Sequence, residues 1–141
     1  MRFVDSNLLL YAISKNAREK TKTELAREIL RSRDLAMSVQ VFQEFYVQAT
    51  RATHPNRISH EQATTLLKDF GRFPIQEMTV ALFEAALRTK ERFQISYWDA
   101  AIIEAARALG CDTVLSEDLN HGQDYGGVRV VNPFRDTSRP G

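Results

Sequence analysis

The chain has 141 residues, of which 43% are hydrophobic and 26% are charged, and its formal net charge is +1. A chain of this length suits one domain with a substantial core, because it buries roughly 70% of the surface that its unfolded form exposes. The near-neutral charge gives no sign of a polyanion partner, and the single cysteine, Cys111, excludes an internal disulfide and a cysteine-based zinc site.

No segment of the sequence predicts a membrane span or a secretory signal. The start, MRFVDSNLLLYAI, carries Asp5 and Asn7 within its apolar run, and no small-residue cleavage site follows it. No apolar stretch approaches the ~20 residues that a membrane-spanning helix requires. Together with the low cysteine content, these features predict a cytoplasmic protein that does not associate with a membrane.

The first fifty residues predict two strand–helix units. RFV, residues 2–4, is a short apolar strand, and the polar residues 5–7 cap the helical run LLLYAI that follows it. Residues 15–34 are the most charged segment, and a thin apolar stripe at helical spacing predicts a helix there. LAMSV, residues 35–39, predicts the second strand, and aromatic residues at helical spacing predict the helix after it.

The middle of the chain predicts two further helices and a third strand. RATHPNRISH, residues 51–60, is a loop, and Ser59 with Gln62 forms the capping-box pattern that opens the next helix. FPIQEM, residues 73–78, predicts the third strand, and Thr79 opens the helix after it. Four apolar residues share one face of that helix, namely Val80, Phe83, Ala86 and Leu87.

The last third of the chain predicts one buried helix and two more strands. SYWDAAIIEAA begins this helix at Ser96, and the runs DTVLS and VRVV predict the fourth and fifth strands. We assign residues 1–134 to one domain and residues 135–141 to a loose tail. The alternation of strands and helices predicts an α/β domain with a mainly parallel sheet and helices on both of its faces.

Four carboxylates follow strand ends or lie early in the next helix of this predicted fold. They are Asp5, Glu44, Asp99 and Asp118. Ligands of such sheets bind beyond the carboxyl ends of the strands, where these four acids would converge. Carboxylates in one pocket raise one another's pKa unless a counter-charge is present. Mg²⁺ and Mn²⁺, which prefer oxygen ligands, supply that charge.

Each carboxylate also has a structural explanation when it is taken alone. Asp5 fits a helix N-cap, and Asp99 stands at the capping-box position of its helix. Glu44 shares a helix face with polar residues and fits a solvated stripe, whereas Asp118 fits a turn. We expect Glu117, beside it, to face solvent. Both explanations stay open for each acid at this point.

Five segments of the sequence resemble the successive motifs of one enzyme family. FVDSNLLLYA, SVQVFQEFY, SYWDAAIIEAA, VLSEDL and VVNPF look like the motifs of PIN-domain ribonucleases, and more narrowly of the VapC toxins of type II toxin–antitoxin pairs. The resemblance covers nearly the whole chain, in the expected order. It implies a three-layer α/β/α PIN-like domain with a mainly parallel five-stranded sheet. It also implies a metal-dependent endoribonuclease that uses Mg²⁺ or Mn²⁺.

The resemblance also implies roles for individual residues. The metal-holding acids of the family match Asp5, Glu44, Asp99 and Asp118, and we expect the first and third of these to hold the better-occupied ion. Asn7 and Ser116 fall where the family has polar residues that support the acids. Many relatives carry another acid and an aromatic residue where this chain has Asn120 and His121. Either a second metal is held more weakly here, or His121 faces the phosphate, although a surface loop position explains this His more simply.

Three kinds of partner follow from the same comparison. We expect RNA to be gripped through its backbone, with Lys15, Arg18, Lys20 and Lys22 as candidates, although interleaved acids also fit a solvated helix face. The resemblance implies a cognate VapB-type antitoxin that blocks the acidic site, and an antitoxin Arg would suit four carboxylates. It also implies a homodimer.

Two other functions remain open from the sequence. An Asp after the first strand serves as a phosphatase nucleophile in other doubly wound folds, but those sites carry a second Asp where this chain has Asn7. A PIN-like module that binds RNA or a protein without cutting is the stronger alternative. The presence of all four acids favours the nuclease over it.

Overall fold

A five-stranded parallel sheet forms the centre of the computed structural model, which describes residues 1–135. The strands are β1 (Arg2–Val4), β2 (Leu35–Ser38), β3 (Ile75–Gln76), β4 (Thr113–Leu115) and β5 (Arg129–Val131). Their order across the sheet is β3-β2-β1-β4-β5, and each of these neighbouring pairs is parallel. The predicted α/β fold with a mainly parallel five-stranded sheet is therefore confirmed.

Helices connect the strands in the predicted alternation. They are α1 (Ser6–Ala12), α2 (Lys20–Leu30), α3 (Val39–Thr50), α4 (His60–Phe70), α5 (Val80–Phe93) and α6 (Tyr97–Ala108), with a short 3₁₀ helix (Ala17–Glu19) before α2. Within residues 1–135, every helix is too short or too polar to cross a bilayer. The predicted division into a domain and a tail stays a prediction, because residues 136–141 lie outside the described residues.

The buried face of the sheet explains why its short strands are so apolar. Phe3 and Val4 of β1 are fully buried, and so are the three apolar residues of β2. Both strands lie inside the sheet, so neither of their faces reaches solvent. Seven consecutive residues of α6, Ala100–Ala106, are also buried. The small alanines let α6 approach both α5 and the sheet. Asp99 lies in the first turn of this helix.

Three large apolar residues of α5 lie on its exposed side. Val80 is 73% exposed, Phe83 44% and Leu87 45%, and of the four residues predicted to share this face only Ala86 is buried. The helix instead turns Leu82, Ala86 and Thr89 inward.

The buried carboxylate of Glu104 accounts for this orientation of α5. Thr89 Oγ1 donates to Glu104 Oε2 at 2.8 Å, and Arg107 Nε donates to Glu104 Oε1 at 3.1 Å. A buried carboxylate without such donors would be costly, and Thr89 supplies one of them by facing α6. The hydrophobic pattern of α5 alone cannot reveal this requirement, because it lies on another helix.

We predict that Phe45→Ala lowers the free energy of unfolding by about 3–5 kcal/mol, because it leaves a cavity in the core. Phe45 is fully buried in α3 and packs edge-on against Phe70 of α4, with ring centroids 5.9 Å apart. Urea denaturation measures the change. Val47→Ala, on the 52% exposed side of the same helix, is the matched control and should change stability by no more than about 0.5 kcal/mol. Equal effects of the two substitutions would contradict this packing.

Candidate active site

The pairing of β1 with β4 brings two polar residues together at the carboxyl edge of the sheet. Val4 lies opposite Leu115, so the next residues, Asp5 and Ser116, leave the sheet side by side. The backbone N–H of Asp5 donates to Leu115 O at 3.0 Å, and Ser116 Oγ donates to Asp5 Oδ2 at 2.7 Å. This is the edge at which ligands of open α/β sheets bind.

Both carboxylate oxygens of Asp5 are hydrogen-bonded. Oδ1 accepts from the backbone N–H of Ser6 at 2.8 Å, which confirms the predicted N-cap of α1. Oδ2 accepts from Ser116, and Asn7 Nδ2 lies 3.5 Å from the same oxygen. Asp5 is 6% exposed, and burial raises its pKa to about 6. The hydrogen bonds from Ser116 and Ser6 oppose that rise, whereas the charges of nearby Glu44 and Asp118 add to it.

Asn7 connects the end of β1 to the loop after β4. Its Nδ2 group donates to Asp118 Oδ2 and to Ser116 Oγ, each at 3.2 Å. Its Oδ1 accepts from the backbone N–H of Glu117 at 3.2 Å. The backbone N–H of Asp118 donates to Ser116 Oγ at 3.1 Å, which supplies the turn suggested for this residue. Asn7 and Ser116 therefore hold the Asp5 and Asp118 carboxylates in one network.

Glu44 does not lie on a solvated polar stripe, so that interpretation is wrong. Its Oε2 accepts from Ser6 Oγ at 3.0 Å, and its Oε1 accepts from Gln40 Nε2 at 2.9 Å. Gln40 is 4% exposed, and its amide also donates to the backbone oxygen of Trp98 at 3.2 Å. This contact turns the polar face of α3 toward the start of α6 rather than toward water. Glu44 thus reaches the same region as Asp5.

The carboxylate of Asp99 does not complete the capping box suggested for α6. Ser96 Oγ accepts from the backbone N–H of Asp99 at 3.1 Å, as an N-cap does. Among the described residues, however, no reciprocal bond joins the Asp99 side chain to the Ser96 N–H, whereas Ser59 and Gln62 of α4 make both bonds. The Asp99 carboxylate is half-buried, and burial raises its pKa, with the charge of Asp118 adding to the rise. A hydrogen-bonding interaction with the Ser96 side chain lowers the pKa of Asp99 and opposes that rise, so the carboxylate stays next to its N-cap residue without closing a capping box.

The four acids carry no cationic partner within residues 1–135. The ion pairs of this part of the chain are Arg2–Asp34, Lys22–Glu117, Arg72–Asp69, Arg107–Glu104 and Arg129–Asp124. The charge of Asp118 acts on both Asp5 and Asp99, and that of Glu44 acts on Asp5. A cation at this edge would relieve the mutual repulsion. The donors are all oxygens, which fits Mg²⁺ or Mn²⁺ and not a zinc site of His and Cys.

The same acids are not assembled into a finished coordination sphere. In the part of the chain that the structure describes, no three carboxylate, imidazole or thiol groups lie close enough together to hold one ion. Ser6 links Asp5 to Glu44, and Asn7 with Ser116 links Asp5 to Asp118, whereas Asp99 shares none of these bonds among the described residues. A metal would have to draw these pairs together.

The prediction that Glu117 faces solvent is wrong. Lys22 Nζ lies 2.7 Å from its Oε2, and the Tyr11 hydroxyl donates to its Oε1. Asn7 Oδ1 accepts from the backbone N–H of Glu117, and the Glu117 side chain points back to α1 and α2. No local pattern could reveal this contact, because 95 residues separate Lys22 from Glu117.

The candidate RNA-binding cations differ in their surroundings. Lys22 is committed to Glu117 and lies over the ring of Tyr11, 5.0 Å from its centroid, which makes it the weakest candidate. Lys15 and Lys20 are exposed and line a groove of about 270 Å³, and Arg18 is exposed nearby in the 3₁₀ helix. His121 accepts from the backbone N–H of Asn132 through Nδ1 at 3.0 Å, as a surface loop residue would.

A family model described as PIN domain matches residues 2–123. The chain belongs to the PIN domain family. PIN domain nucleases generally use a divalent metal, and the four acids of this PIN domain are the oxygen donors available for one. Membership also removes the support for the phosphatase alternative. The comparison with curated proteins gives no match.

Solved structures share the fold of this PIN domain at low sequence identity. VapC20 of Mycobacterium tuberculosis, described as a toxin that cleaves the sarcin–ricin loop, aligns with a TM-score of 0.63 and 20% identity over 84% of this chain and 92% of its own. A toxin–antitoxin complex from Klebsiella pneumoniae gives 0.65 and 18%, over 94% and 98%. VapBC2 of Rickettsia felis, bound to a promoter DNA fragment, gives 0.61 and 17%, over 92% and 96%.

We predict that Asp5 makes the metal-free protein less stable as the pH rises. Its pKa is 3.8 when unperturbed and about 6 in the fold, so its contribution is fully present below about pH 3.8 and is lost as the pH rises through 6. Relative to Asp5→Asn, the wild-type free energy of unfolding should fall by up to about 3 kcal/mol between pH 4 and pH 7.

Urea denaturation in EDTA across that pH range measures this difference. Glu28→Gln removes an exposed carboxylate from α2 and is the matched control, which should follow the wild-type curve. A constant difference between the wild type and Asp5→Asn at all pH values would contradict the raised pKa.

Proposed function

We propose that this PIN domain protein is a divalent-metal-dependent endoribonuclease that acts as the toxin of a toxin–antitoxin pair. The observation that carries the proposal is the set of four acids at one edge of the sheet, with no Lys, Arg or His of residues 1–135 paired to them. Uncompensated carboxylates with raised pKa values are a feature of sites that work on charged substrates. Because PIN domain nucleases generally use a divalent metal, we propose that this negative charge binds one.

In this proposal Asp5, Glu44 and Asp118 have supporting groups, the last of them Asn7. Asp5 and Asp99 hold the better-occupied ion, and Glu44 and Asp118 complete the site. Ser116 and Ser6 fix the Asp5 carboxylate, and Gln40 orients Glu44. A bound Mg²⁺ or Mn²⁺ supplies a water of lowered pKa and stabilises negative charge on the attacked phosphate. We expect in-line hydrolysis that leaves a 5′-phosphate and a 3′-hydroxyl.

The solved relatives support the choice of substrate and partner. One of them is described as a toxin that cleaves the sarcin–ricin loop, and another as a toxin–antitoxin complex. We propose RNA as the substrate and a VapB-type antitoxin as the inhibitor. An antitoxin Arg placed among the four acids would form charge-assisted hydrogen bonds with groups that lack a cationic partner in residues 1–135.

A second candidate is a PIN-like module that binds RNA or a protein without cleaving. It is favoured by one observation, namely that no three metal-binding side chains of residues 1–135 are grouped as they stand. In this alternative the acids bind basic groups of a partner directly. Metal binding and RNA cleavage therefore have to be measured separately.

The exposed side of α5 supports a homodimer. Val80, Phe83 and Leu87 form an apolar stripe there, and Phe83 packs against Tyr97 at the start of α6, with ring centroids 5.7 Å apart. Contiguous exposed apolar surface marks an interaction site more often than a solvated face. We propose that this stripe, defined by Val80, Phe83 and Leu87, meets a second copy of the chain.

We predict that Asp99→Asn lowers RNA cleavage with Mn²⁺ by at least about 100-fold, because it removes one charge from the metal site while keeping its shape. Gel analysis of RNA products, with EDTA as a second control, measures the loss. Glu28→Gln, purified side by side, should cleave like the wild type. Equal cleavage by wild type and Asp99→Asn would show a contaminant or another site. Mn²⁺ binding by a wild-type protein that cleaves no RNA would favour the binding module.

We predict that Phe83→Glu converts the homodimer to a monomer, because a charge on the apolar stripe cannot be desolvated at the interface. Light scattering after size exclusion measures the mass. Glu84→Gln changes the neighbouring exposed residue without adding charge to the stripe and should leave the dimer intact. A wild-type protein that is monomeric at all concentrations would refute the proposed dimer.

A further inference from the structure

Trp98 is largely exposed at the edge of the candidate active site. It is the single tryptophan of the chain, it immediately precedes Asp99, and it is 62% exposed. Tyr97 packs against it edge-on, with ring centroids 5.0 Å apart. This contact covers part of the indole and leaves the rest to solvent.

The indole forms one wall of a groove of about 330 Å³ between α3 and the start of α6. The other lining residues are Gln40, Gln43, Glu44, Val47 and Gln48. Glu44 belongs both to this groove and to the four acids, so a molecule held at the acids can extend directly into the groove. No Lys or Arg contributes to this lining.

Gln40 fixes the groove relative to the acids. Its Nε2 group donates to Glu44 Oε1 and to the Trp98 backbone oxygen, so one buried amide holds both walls. Its Oε1 is buried without a hydrogen-bond partner among the described residues. An unpaired buried acceptor is unfavourable, so the two donated bonds determine which way this amide faces. Trp98 and Glu44 are thereby held at a set separation.

The lining chemistry suits a flat, uncharged heterocycle. The groove lining offers a phosphate no Lys or Arg, whereas a nucleobase can stack on the exposed indole. The amides of Gln43 and Gln48 offer both donors and acceptors to the edge of such a base. We propose that an unpaired nucleobase next to the scissile phosphate of the RNA stacks on Trp98. This proposal rests on the proposed nuclease function and assigns the groove to single-stranded RNA.

Trp98 itself reports on the proposal, because the fluorescence of the chain's single tryptophan comes from this site. The probe is a short mixed-sequence single-stranded oligoribonucleotide, titrated into wild-type protein in EDTA and into Asp5→Asn with Mn²⁺, so that the strand stays intact. Asp5→Asn leaves the residues around Trp98 unchanged. Fluorescence anisotropy of a dye on the RNA measures binding independently of the indole.

We expect saturable quenching of Trp98 that follows the anisotropy curve, and no quenching by an oligonucleotide with abasic positions at the same phosphate occupancy. Trp98→Ala should weaken RNA binding roughly 5- to 100-fold, because stacking on an aromatic ring is lost. Trp98→Phe keeps a stacking surface and should restore most of that affinity. The affinity for Mn²⁺, measured by calorimetry, should be the same in the wild type, Trp98→Ala and Trp98→Phe.

Three results would overturn the proposal. If RNA binds without changing Trp98 emission, no base stacks on Trp98 and the proposal is wrong. Cleavage by the wild type in that case would still support the proposed nuclease function. If Trp98 emission changes with protein concentration and not with RNA, and Trp98→Ala changes the oligomeric mass, Trp98 lies in the dimer interface instead. Absence of RNA binding in both titrations would refute it as well. Quenching by RNA that the wild type with Mn²⁺ never cleaves would support the base contact and refute the nuclease.

Discussion

The parallel register of β1 and β4 is the constraint on which the candidate site depends. Because Val4 lies opposite Leu115, the chain leaves both strands at the same level, and Asp5 meets Ser116. A shift of one residue would exchange the two faces of a strand and turn the buried carboxylate away from the buried hydroxyl. The network of Asn7, Asp118 and Glu117 is built outward from this contact. The strand register of the sheet thus determines the distances between these side chains.

Burial and hydrogen bonding have opposite effects on the Asp5 carboxylate, because burial disfavours its charged form and the hydrogen bonds favour it. Asp5 is held by donors on both oxygens, yet its pKa still rises to about 6, because burial outweighs the hydrogen bonds. The protein therefore keeps a group in a setting that its own side chains do not fully satisfy. Sites that sacrifice stability in this way are commonly functional ones, and a cation would offset the unfavourable burial. Nuclease metal and inhibitor Arg would compete for the same charge.

Local patterns predicted most of the fold, and they failed where distant residues decide. The five strands and the Ser59 capping box follow from short signals, namely apolar runs and a polar cap, and the structure agrees. The position of Glu117 depends on Lys22 and Asn7, and the orientation of α5 depends on a buried carboxylate of α6. No window of sequence contains both members of these pairs. The incomplete capping box at Asp99 likewise became visible only in the structure.

The site joins parts of the chain that are made far apart in time. Asn7 and Ser116 are 109 residues apart in sequence, and β1, the first strand synthesised, is flanked in the finished sheet by β4, the fourth. A nascent chain that has not yet released residues 113–118 from the ribosome can offer Asp5 the N–H of Ser6, but it lacks Ser116 and Asp118. Contacts of such long range form late, because the intervening loop has to close first. The complete set of acids therefore assembles only after residues 113–118 have joined the sheet.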